Sequence, residues 1–314
     1  MTERIRKYIP SQIIPFNAPR GMTMPRVPLF APSGAGKTAF AGGWILAEQD
    51  KANYGKDFFT DVDEGGSDIR LAVDNLKIGR FPEKTPKDEL FEAITYFKWR
   101  ELGGLRWVEV CAPVIDPSGE NVREIIDFYN NRMYTPNPKV AKELNWLHKY
   151  ILDCDAAILI LDATKAKGVF EKGLSIDVSY KGNPDTEAAR VLEAMMNYKA
   201  QNKGSRKLRG ALVAITKVDA IKDYLPPKMN LETDDGIREF LARCFNHTYS
   251  KLMYRRIAFD ALPFWFDVKE EDDKPVVWED DGKPMIAMDE ATGRPHYSYG
   301  SFDRATQWLK RIVG

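Results

Sequence analysis

Several stretches of the chain are continuously apolar and are separated by segments with a different hydrophobic pattern. Residues 156–161 (AAILIL) and 210–215 (GALVAI) contain only apolar or small residues, which is typical of strands buried on both faces of a sheet. A further strand is predicted within 256–266 (RIAFDALPFWF). Another is predicted at 25–31, where we expect it to be short or irregular because Pro28 cannot donate to a sheet ladder.

Between and after these strands, apolar residues recur three or four positions apart, as they do on one face of a helix. This spacing predicts a helix beginning near Thr38, one capped by Asp185 or Thr186, one within 235–252 and one within 302–313. Strands that alternate with helices indicate an α/β fold with a doubly wound, mostly parallel sheet flanked by helices.

Residues 90–100 show the alternation of apolar and polar positions that is typical of a strand with one buried face. Gly103 and Gly104 then turn the chain into the apolar segment RWVEVCAPVI, so a β-hairpin is predicted here. This hairpin adds antiparallel strands to the sheet predicted above.

The composition of the first 24 residues, rich in proline and polar residues, predicts an N-terminal arm rather than a core element. Residues 25–314 are predicted to form one domain. Its insertions are expected near 51–80, 121–150 and 268–299, the last as a pair of hairpins that turn at Asp281-Gly282 and Thr292-Gly293.

Composition narrows the classes of partner. Lysine plus arginine equals aspartate plus glutamate at 46 each, so the net charge of zero does not favour nucleic acid as a partner. Cys111, Cys154 and Cys244 show neither zinc-site spacing nor a disulfide framework, which indicates a reducing, cytoplasmic environment. No apolar run is long enough to span a membrane, and we expect no direct membrane anchor.

The strongest chemical signal is the octapeptide APSGAGKT at residues 31–38, which fits a phosphate-binding loop with alanine in place of the first glycine. The glycines allow backbone N–H groups to curl around a phosphate, the lysine can reach the β- and γ-phosphate oxygens, and the threonine hydroxyl can ligate Mg²⁺. Taken alone, the segment could also be a glycine-rich turn before a helix. The predicted nucleotide contacts are Ser33, Gly34, Ala35, Gly36, Lys37, Thr38 and Ala39.

A second signal, DPSG at residues 116–119, directly follows the strand RWVEVCAPVI. An aspartate at the carboxyl end of such a strand, here Asp116, can hold Mg²⁺ through water. Gly119 allows a backbone N–H to approach the γ-phosphate. The same four residues also form ordinary turns, so their position after an apolar strand is what gives them weight.

A third signal, TKVD at residues 216–219, follows the strand GALVAI. The carboxylate of Asp219 can accept hydrogen bonds from guanine N1–H and from the 2-amino group. Adenine lacks both donors, so a buried site of this kind could reject it by roughly 10⁴-fold. The stem of Lys217 can lie along the base and brace the phosphate loop. The alternative is a turn at a strand end, with its lysine in solvent.

The three motifs APSGAGKT, DPSG and TKVD occur in this order, each at the end of an apolar strand, and this order resembles the P-loop GTPase superfamily. Within it, the motifs look closest to the Ras-like and translation-factor-like branch, and they are similar to those of prokaryotic GTPases. The resemblance lies in the motifs and spans residues 25 to about 265. It implies a G-domain fold, GTP or GDP with Mg²⁺ as ligands, and hydrolysis of GTP to GDP and phosphate. It also implies guanine contacts by Thr216, Lys217 and Asp219.

The same resemblance implies a Mg²⁺-ligating threonine in a loop before the second strand, and Thr85 is the candidate, with Thr38 and Asp116 as its partners. It gives catalytic roles to Lys37, Thr85, Gly119 and Glu120. Protein partners are expected at the loops around Thr85 and Gly119 and at the insertions.

Two departures from the family pattern predict slow hydrolysis. Ser33 stands where Ras-like switches have glycine, and Glu120 stands where they have the glutamine that orients water. A carboxylate beside the γ-phosphate is electrostatically unfavourable. Arg80 or Arg123 could supply the missing positive charge, although each is more simply interpreted as a surface arginine.

Two other functions fit parts of the same pattern. In a P-loop ATPase or kinase, Asp162 at the end of DAAILILD would be the metal-site aspartate, and TKVD would be a coincidence. In a structural subunit, guanine nucleotide would be bound without turnover, which Glu120 and Ser33 favour.

Overall fold

A computed structural model describes the chain in nine segments, which are residues 25–31, 34–51, 58–62, 67–83, 91–101, 106–116, 152–172, 183–272 and 274–313. The strands of these segments are β1 (Leu29–Phe30), β2 (Phe58–Val62), β3 (Phe91–Glu101), β4 (Arg106–Asp116), β5 (Ala156–Asp162), β6 (Gly210–Thr216), β7 (Phe259–Phe264), β8 (Glu270–Glu271) and β9 (Lys274–Pro275). The helices are α1 (Lys37–Gln49), α2 (Ser67–Lys77), α3 (Lys167–Lys172), α4 (Pro184–Gln201), α5 (Asp234–Cys244), α6 (Asn246–Tyr254) and α7 (Tyr299–Val313). No helix within these segments is both long and apolar enough to cross a bilayer.

Seven strands form one sheet in the order β2-β3-β4-β1-β5-β6-β7. Strand β1 pairs in parallel with β4 on one side and with β5 on the other, and β5, β6 and β7 continue the parallel arrangement. The remaining pairs, β2 with β3 and β3 with β4, are antiparallel. The predicted α/β class and mostly parallel sheet are therefore confirmed, as is the hairpin formed by β3 and β4.

The core lies on both faces of the sheet because β5 and β6 contain only apolar or small residues before their last positions, Asp162 and Thr216. Leu159 and Leu161 of β5 pack with residues of α4, α5 and α6 on one face. Ile158 and Ile160 of the same strand pack with α1 and α7 on the other. Successive side chains of a strand point to opposite faces, so a single apolar strand packs against the helices on both faces of the sheet.

Local hydrogen bonds correct two of the predicted helix boundaries. The side chain of Asn183, rather than Asp185 or Thr186, caps α4 by accepting the Asp185 N–H, and Pro184 occupies the first turn. The carboxylate of Asp185 is used elsewhere, since it accepts the N–H groups of His247 and Thr248 at the start of α6. This contact fits the division of the predicted helix at 235–252 into α5 and α6.

Two of the three segments expected to be insertions, 51–80 and 268–299, lie next to each other. The third, 121–150, lies outside the described residues, as does the predicted arm at 1–24. Within 51–80, β2 extends the sheet by one strand and α2 follows it. Residues 268–299 contain bridged hairpins that turn at Gly282 and Gly293, both with a φ of 65°, as predicted. The N–H of Ile286 donates to Gly79 O after α2 at 2.8 Å, which joins the two segments.

Candidate functional site

The carboxyl ends of three strands bring parts of the sequence signals to one edge of the sheet. The phosphate-loop segment follows β1, Asp116 of DPSG is the last residue of β4, and TKVD begins at the last residue of β6. Asp162, the last residue of β5, pairs in register with Thr216. Because the carboxyl ends of neighbouring parallel strands lie side by side, this edge is where a ligand binds in an open α/β sheet.

The loop before α1 has the backbone that its glycines predict. Gly34 and Gly36 both have a φ of 80°, in the left-handed region that favours glycine. Gly36 precedes the first helical residue, Lys37, and contributes no side-chain cap to α1. Lys37 is buried, and Thr38 and Ala39 are partly exposed in the first turn. A helix beginning in this way directs its N-terminal partial positive charge toward the loop.

The residues of TKVD hold this loop through its carbonyl oxygens. Lys217 Nζ donates to Gly34 O at 2.9 Å, and Thr216 Oγ1 donates to Ala35 O at 2.8 Å. The C=O and N–H of a trans peptide point in opposite directions. The N–H groups of Ala35 and Gly36 are therefore directed away from β6, as a loop that receives an anion through its amides requires.

Lys217 has a conformation that is unusual for a residue with a side chain, with a φ of 57°. Its ammonium is fixed by the phosphate loop, yet 42% of its side chain is exposed. Part of this side chain therefore stays accessible and forms a shelf beside the loop, while the contact of its Nζ with Gly34 O is the predicted bracing contact.

Asp219 begins a 3₁₀ turn, Asp219–Tyr224, directly after this shelf and is partly buried. Burial raises the pKa of its carboxyl, and the nearby Asp267 charge raises it further, while the N–H groups of Asp219 and Ala220 lower it. Within the described segments no ion pair is formed by this carboxyl. The charge of Lys222 also lowers this pKa, and two N–H donors from a ligand would stabilise the charged form further.

Asp162 lies on the opposite side of Lys217 and is nearly inaccessible, with 4% of its surface exposed. Its Oδ2 accepts Lys217 Nζ at 2.6 Å, and its Oδ1 accepts the N–H of Thr164 at 2.9 Å and the hydroxyl of Thr164 at 2.6 Å. Both oxygens are thus engaged by the protein. This arrangement does not favour the alternative in which Asp162 ligates a metal ion.

The pairing of Asp162 with Lys217 was not predicted from the sequence. The signal was nevertheless present, since each residue comes at the carboxyl end of an apolar run, and the two runs are adjacent strands of the sheet. Asp162 was assigned only to the ATPase alternative because an aspartate after such a run resembles a metal-site residue.

Other predicted site residues are described only in part or not at all. Asp116 is the last residue of β4, and only its backbone is described. The remaining predicted residues, Ser33, Thr85, Gly119 and Glu120, lie outside the described segments, as does Arg123. Their proximity to the phosphate loop stays a prediction.

Arg80 is held by contacts with residues about 200 positions further along the chain. Its guanidinium forms two hydrogen bonds with Asp280, at 2.8 and 3.0 Å, and lies 4.3 Å from the ring centre of Trp278. These contacts fit the simpler interpretation of Arg80 as a surface arginine, here one that binds Asp280 and packs on Trp278.

The molecule is thus an α/β protein whose parallel strands are flanked by helices and whose phosphate-loop segment and TKVD meet at the carboxyl edge of the sheet. No family model matches the chain, and no curated protein matches its sequence. Among solved structures it is similar to a chain of the complex described as "Signal recognition particle receptor SRb-GTP/SRX complex from Chaetomium thermophilum", at 12% identity and a TM-score of 0.30, over 78% of this chain and 91% of that one. A likeness this distant identifies no family.

Proposed function

We propose that this protein binds GTP and GDP with Mg²⁺, hydrolyses GTP slowly to GDP and phosphate, and acts as a nucleotide-dependent switch. The observation that supports the proposal best is the contact between Lys217 Nζ and Gly34 O. It joins the motif suited to guanine to the loop suited to phosphate.

The phosphates would bind to the loop amides and to Lys37. The loop carbonyls are held on the β6 side by Thr216 and Lys217, so the amides need no reorganisation when an anion arrives. Lys37 follows the loop directly and would neutralise the phosphate charge. Mg²⁺ would supply further charge compensation, held by Thr38 and Thr85 and, through water, by Asp116.

The base would lie along the stem of Lys217, with its edge toward Asp219. Guanine presents two donors there, N1–H and the 2-amino group, and a carboxylate can accept both. Adenine presents an acceptor at N1 and no amino group at C2, so it would leave the carboxylate unsatisfied. The raised pKa of the Asp219 carboxyl gives these two donors a large effect, since they would stabilise its charged form.

Slow turnover follows from residues near the expected γ-phosphate position. Glu120 would bring negative charge toward the attacking water and phosphate, and Ser33 adds a side chain where little space is expected. A protein partner that contributes a cation would then raise the rate. The loops around Thr85 and Gly119 would change their populations with the bound nucleotide, and partners would detect that change.

Calorimetric titration of nucleotide-free protein with GTP, GDP and ATP, each with Mg²⁺, tests the binding part of the proposal. Binding of both guanine nucleotides without ATP binding is the expected result. ATP binding as tight as GTP binding would overturn it in favour of an ATP-dependent enzyme.

Phosphate release from GTP under single-turnover conditions tests the catalytic part. A slow rate that requires Mg²⁺ is expected. Tight guanine binding with no phosphate release, also in the presence of cell extract as a source of activators, would instead identify a non-hydrolysing structural subunit.

A further inference from the structure

We infer that Asp162 is a positioning residue for the guanine site, which it serves by fixing the ammonium of Lys217 against the phosphate loop. The inference rests on the proposed function and adds a residue that the nucleotide-binding motifs do not contain. It is supported by the contact that joins Asp162 Oδ2 to Lys217 Nζ at 2.6 Å.

The two carboxylate oxygens of Asp162 bind different partners. Oδ1 accepts the N–H and the hydroxyl of Thr164, and this holds the start of the 3₁₀ turn Ala163–Ala166. Oδ2 is left for Lys217. The carboxylate is therefore oriented by its own turn before it meets the ammonium, and it offers a fixed acceptor rather than a mobile one.

Burial makes this acceptor strong. The side chain of Asp162 is 5% exposed, so its charge is screened little by water, whereas that of Lys217 is 42% exposed. A charged hydrogen bond in such a setting contributes more than a surface ion pair. The ammonium, tied to Asp162 and to Gly34 O, holds the exposed stem in one place, as a shelf for a base requires.

Loss of this contact would free the ammonium, and with it both the stem and one restraint on the phosphate loop. The substitution Asp162→Asn isolates the effect, because the asparagine oxygen can still accept from Thr164 while its NH₂ group cannot accept from Lys217. We expect GDP and GTP to dissociate about tenfold faster from this variant, measured with fluorescent nucleotide analogues. The similar effect on both nucleotides follows because the shelf contacts the base.

A double-mutant cycle separates positioning from general destabilisation. Lys217→Met removes the ammonium and keeps an unbranched stem. In that background, Asp162→Asn should change the dissociation rate by less than about twofold, since the partner is already gone. Effects that simply multiply would overturn the inference, as would an unchanged rate in the single variant.

Asp155 offers a matched control, because it lies at the amino end of β5 whereas Asp162 lies at the carboxyl end. It is buried, directly precedes β5 and is paired with Arg206, but it lies at the amino edge of the sheet. Asp155→Asn should lower the melting temperature and leave nucleotide dissociation unchanged. If both substitutions increased the nucleotide dissociation rate equally, the loss of any buried carboxylate would have this effect, and the inference would be refuted.

Lysine labelling without nucleotide keeps this test distinct from that of the proposed function. In the native protein, acetic anhydride should modify Lys217 several-fold more slowly than the exposed Lys222, and Asp162→Asn should remove this protection. Protection that is lost in the variant, in a protein that binds no guanine nucleotide, would support the contact and refute the proposed function. Unprotected Lys217 in the native protein would refute the contact itself.

Discussion

The ammonium of Lys217 lies 2.9 Å from the carbonyl oxygen of Gly34, although 183 positions separate the two residues along the chain. The contact connects the ends of β1 and β6, which are not neighbours in the sheet because β5 lies between them. A side chain that spans a whole strand to hold a glycine loop restricts that loop without occupying the space on its amide side.

Replacement of Lys37 should weaken nucleotide binding strongly. Lys37 is 6% exposed and follows the loop directly, so its charge is well placed to be effective on a phosphate. We expect Lys37→Ala to lower GTP affinity by roughly 10- to 100-fold in calorimetry, with a smaller loss for GDP. The exposed Lys165 serves as control, and Lys165→Ala should bind GTP like the native protein. Native-like GTP affinity of Lys37→Ala would remove the phosphate loop from the site.

A change of base preference would be the most specific sign of the role of Asp219. In Asp219→Asn, the amide can accept from N1–H but faces the 2-amino group of guanine with its own NH₂. Xanthine carries a carbonyl at that position, which the amide can satisfy. We expect GTP affinity to fall on the order of 100-fold and xanthosine triphosphate to bind better than GTP, as measured by calorimetric competition.

The exposed Asp223 lies in the same 3₁₀ turn as Asp219 and gives a matched control. Asp223→Asn should retain the preference for guanine. If Asp219→Asn kept that preference too, TKVD would be an ordinary turn and the base would be recognised elsewhere.

The sequence predicted those parts of the fold and site that depend on local pattern. Apolar runs at 156–161 and 210–215 marked the central strands, and the residues that follow such runs necessarily reach the carboxyl edge of a parallel sheet. The bracing contact of Lys217 with the loop could be predicted for this reason.

Contacts between distant residues could not be predicted in the same way. Asp162 and Lys217 are 55 positions apart, and their pairing depends on strand order, which apolar patterns do not encode. The cap of α4 was misassigned because Asp185, a good capping residue by type, is bound to the first turn of α6 instead. Which acceptor a carboxylate serves is decided by tertiary packing, as is the contact of Arg80 with Asp280.

Replacement of Gly236 by a larger residue should destabilise the protein because of close packing, not because of backbone conformation. A Cβ at this position in α5 would lie 2.0 Å from the carbonyl oxygen of Asn230, a backbone atom that cannot rotate away. We expect Gly236→Ala to lower the free energy of unfolding by about 2–4 kcal/mol in urea denaturation. At Gly168 in α3, a Cβ would have open space around it, with no neighbouring side chain within 4 Å, so Gly168→Ala should be neutral or stabilising. A loss under about 0.5 kcal/mol for Gly236→Ala would mean that the turn before α5 is differently packed.

The buried carboxyl of Glu48 should make stability depend on pH. Glu48 is completely buried in α1, where Oε1 accepts from Lys51 at 2.6 Å and from the hydroxyl of Thr306, while Oε2 has no partner among the described residues. Burial raises the pKa of this carboxyl, against the opposing effects of Lys51 and Thr306. Lys51 keeps its own charge through a second contact, with Asp303 at 2.8 Å.

The sign of the effect follows from the raised pKa. The folded protein holds the proton more tightly than the unfolded chain, so its stability is greatest below the unfolded pKa of Glu48 and decreases as the pH rises through the folded value. Glu48→Gln keeps the acceptor for Thr306 and removes the ionisation. The unfolding free energy of this variant, relative to that of the native protein, should therefore increase as the pH rises above about 5, by on the order of 1 kcal/mol. Glu232→Gln at an exposed position should show no such gain. A constant difference between Glu48→Gln and the native protein across this range would show that Lys51 compensates fully for the burial of the carboxylate.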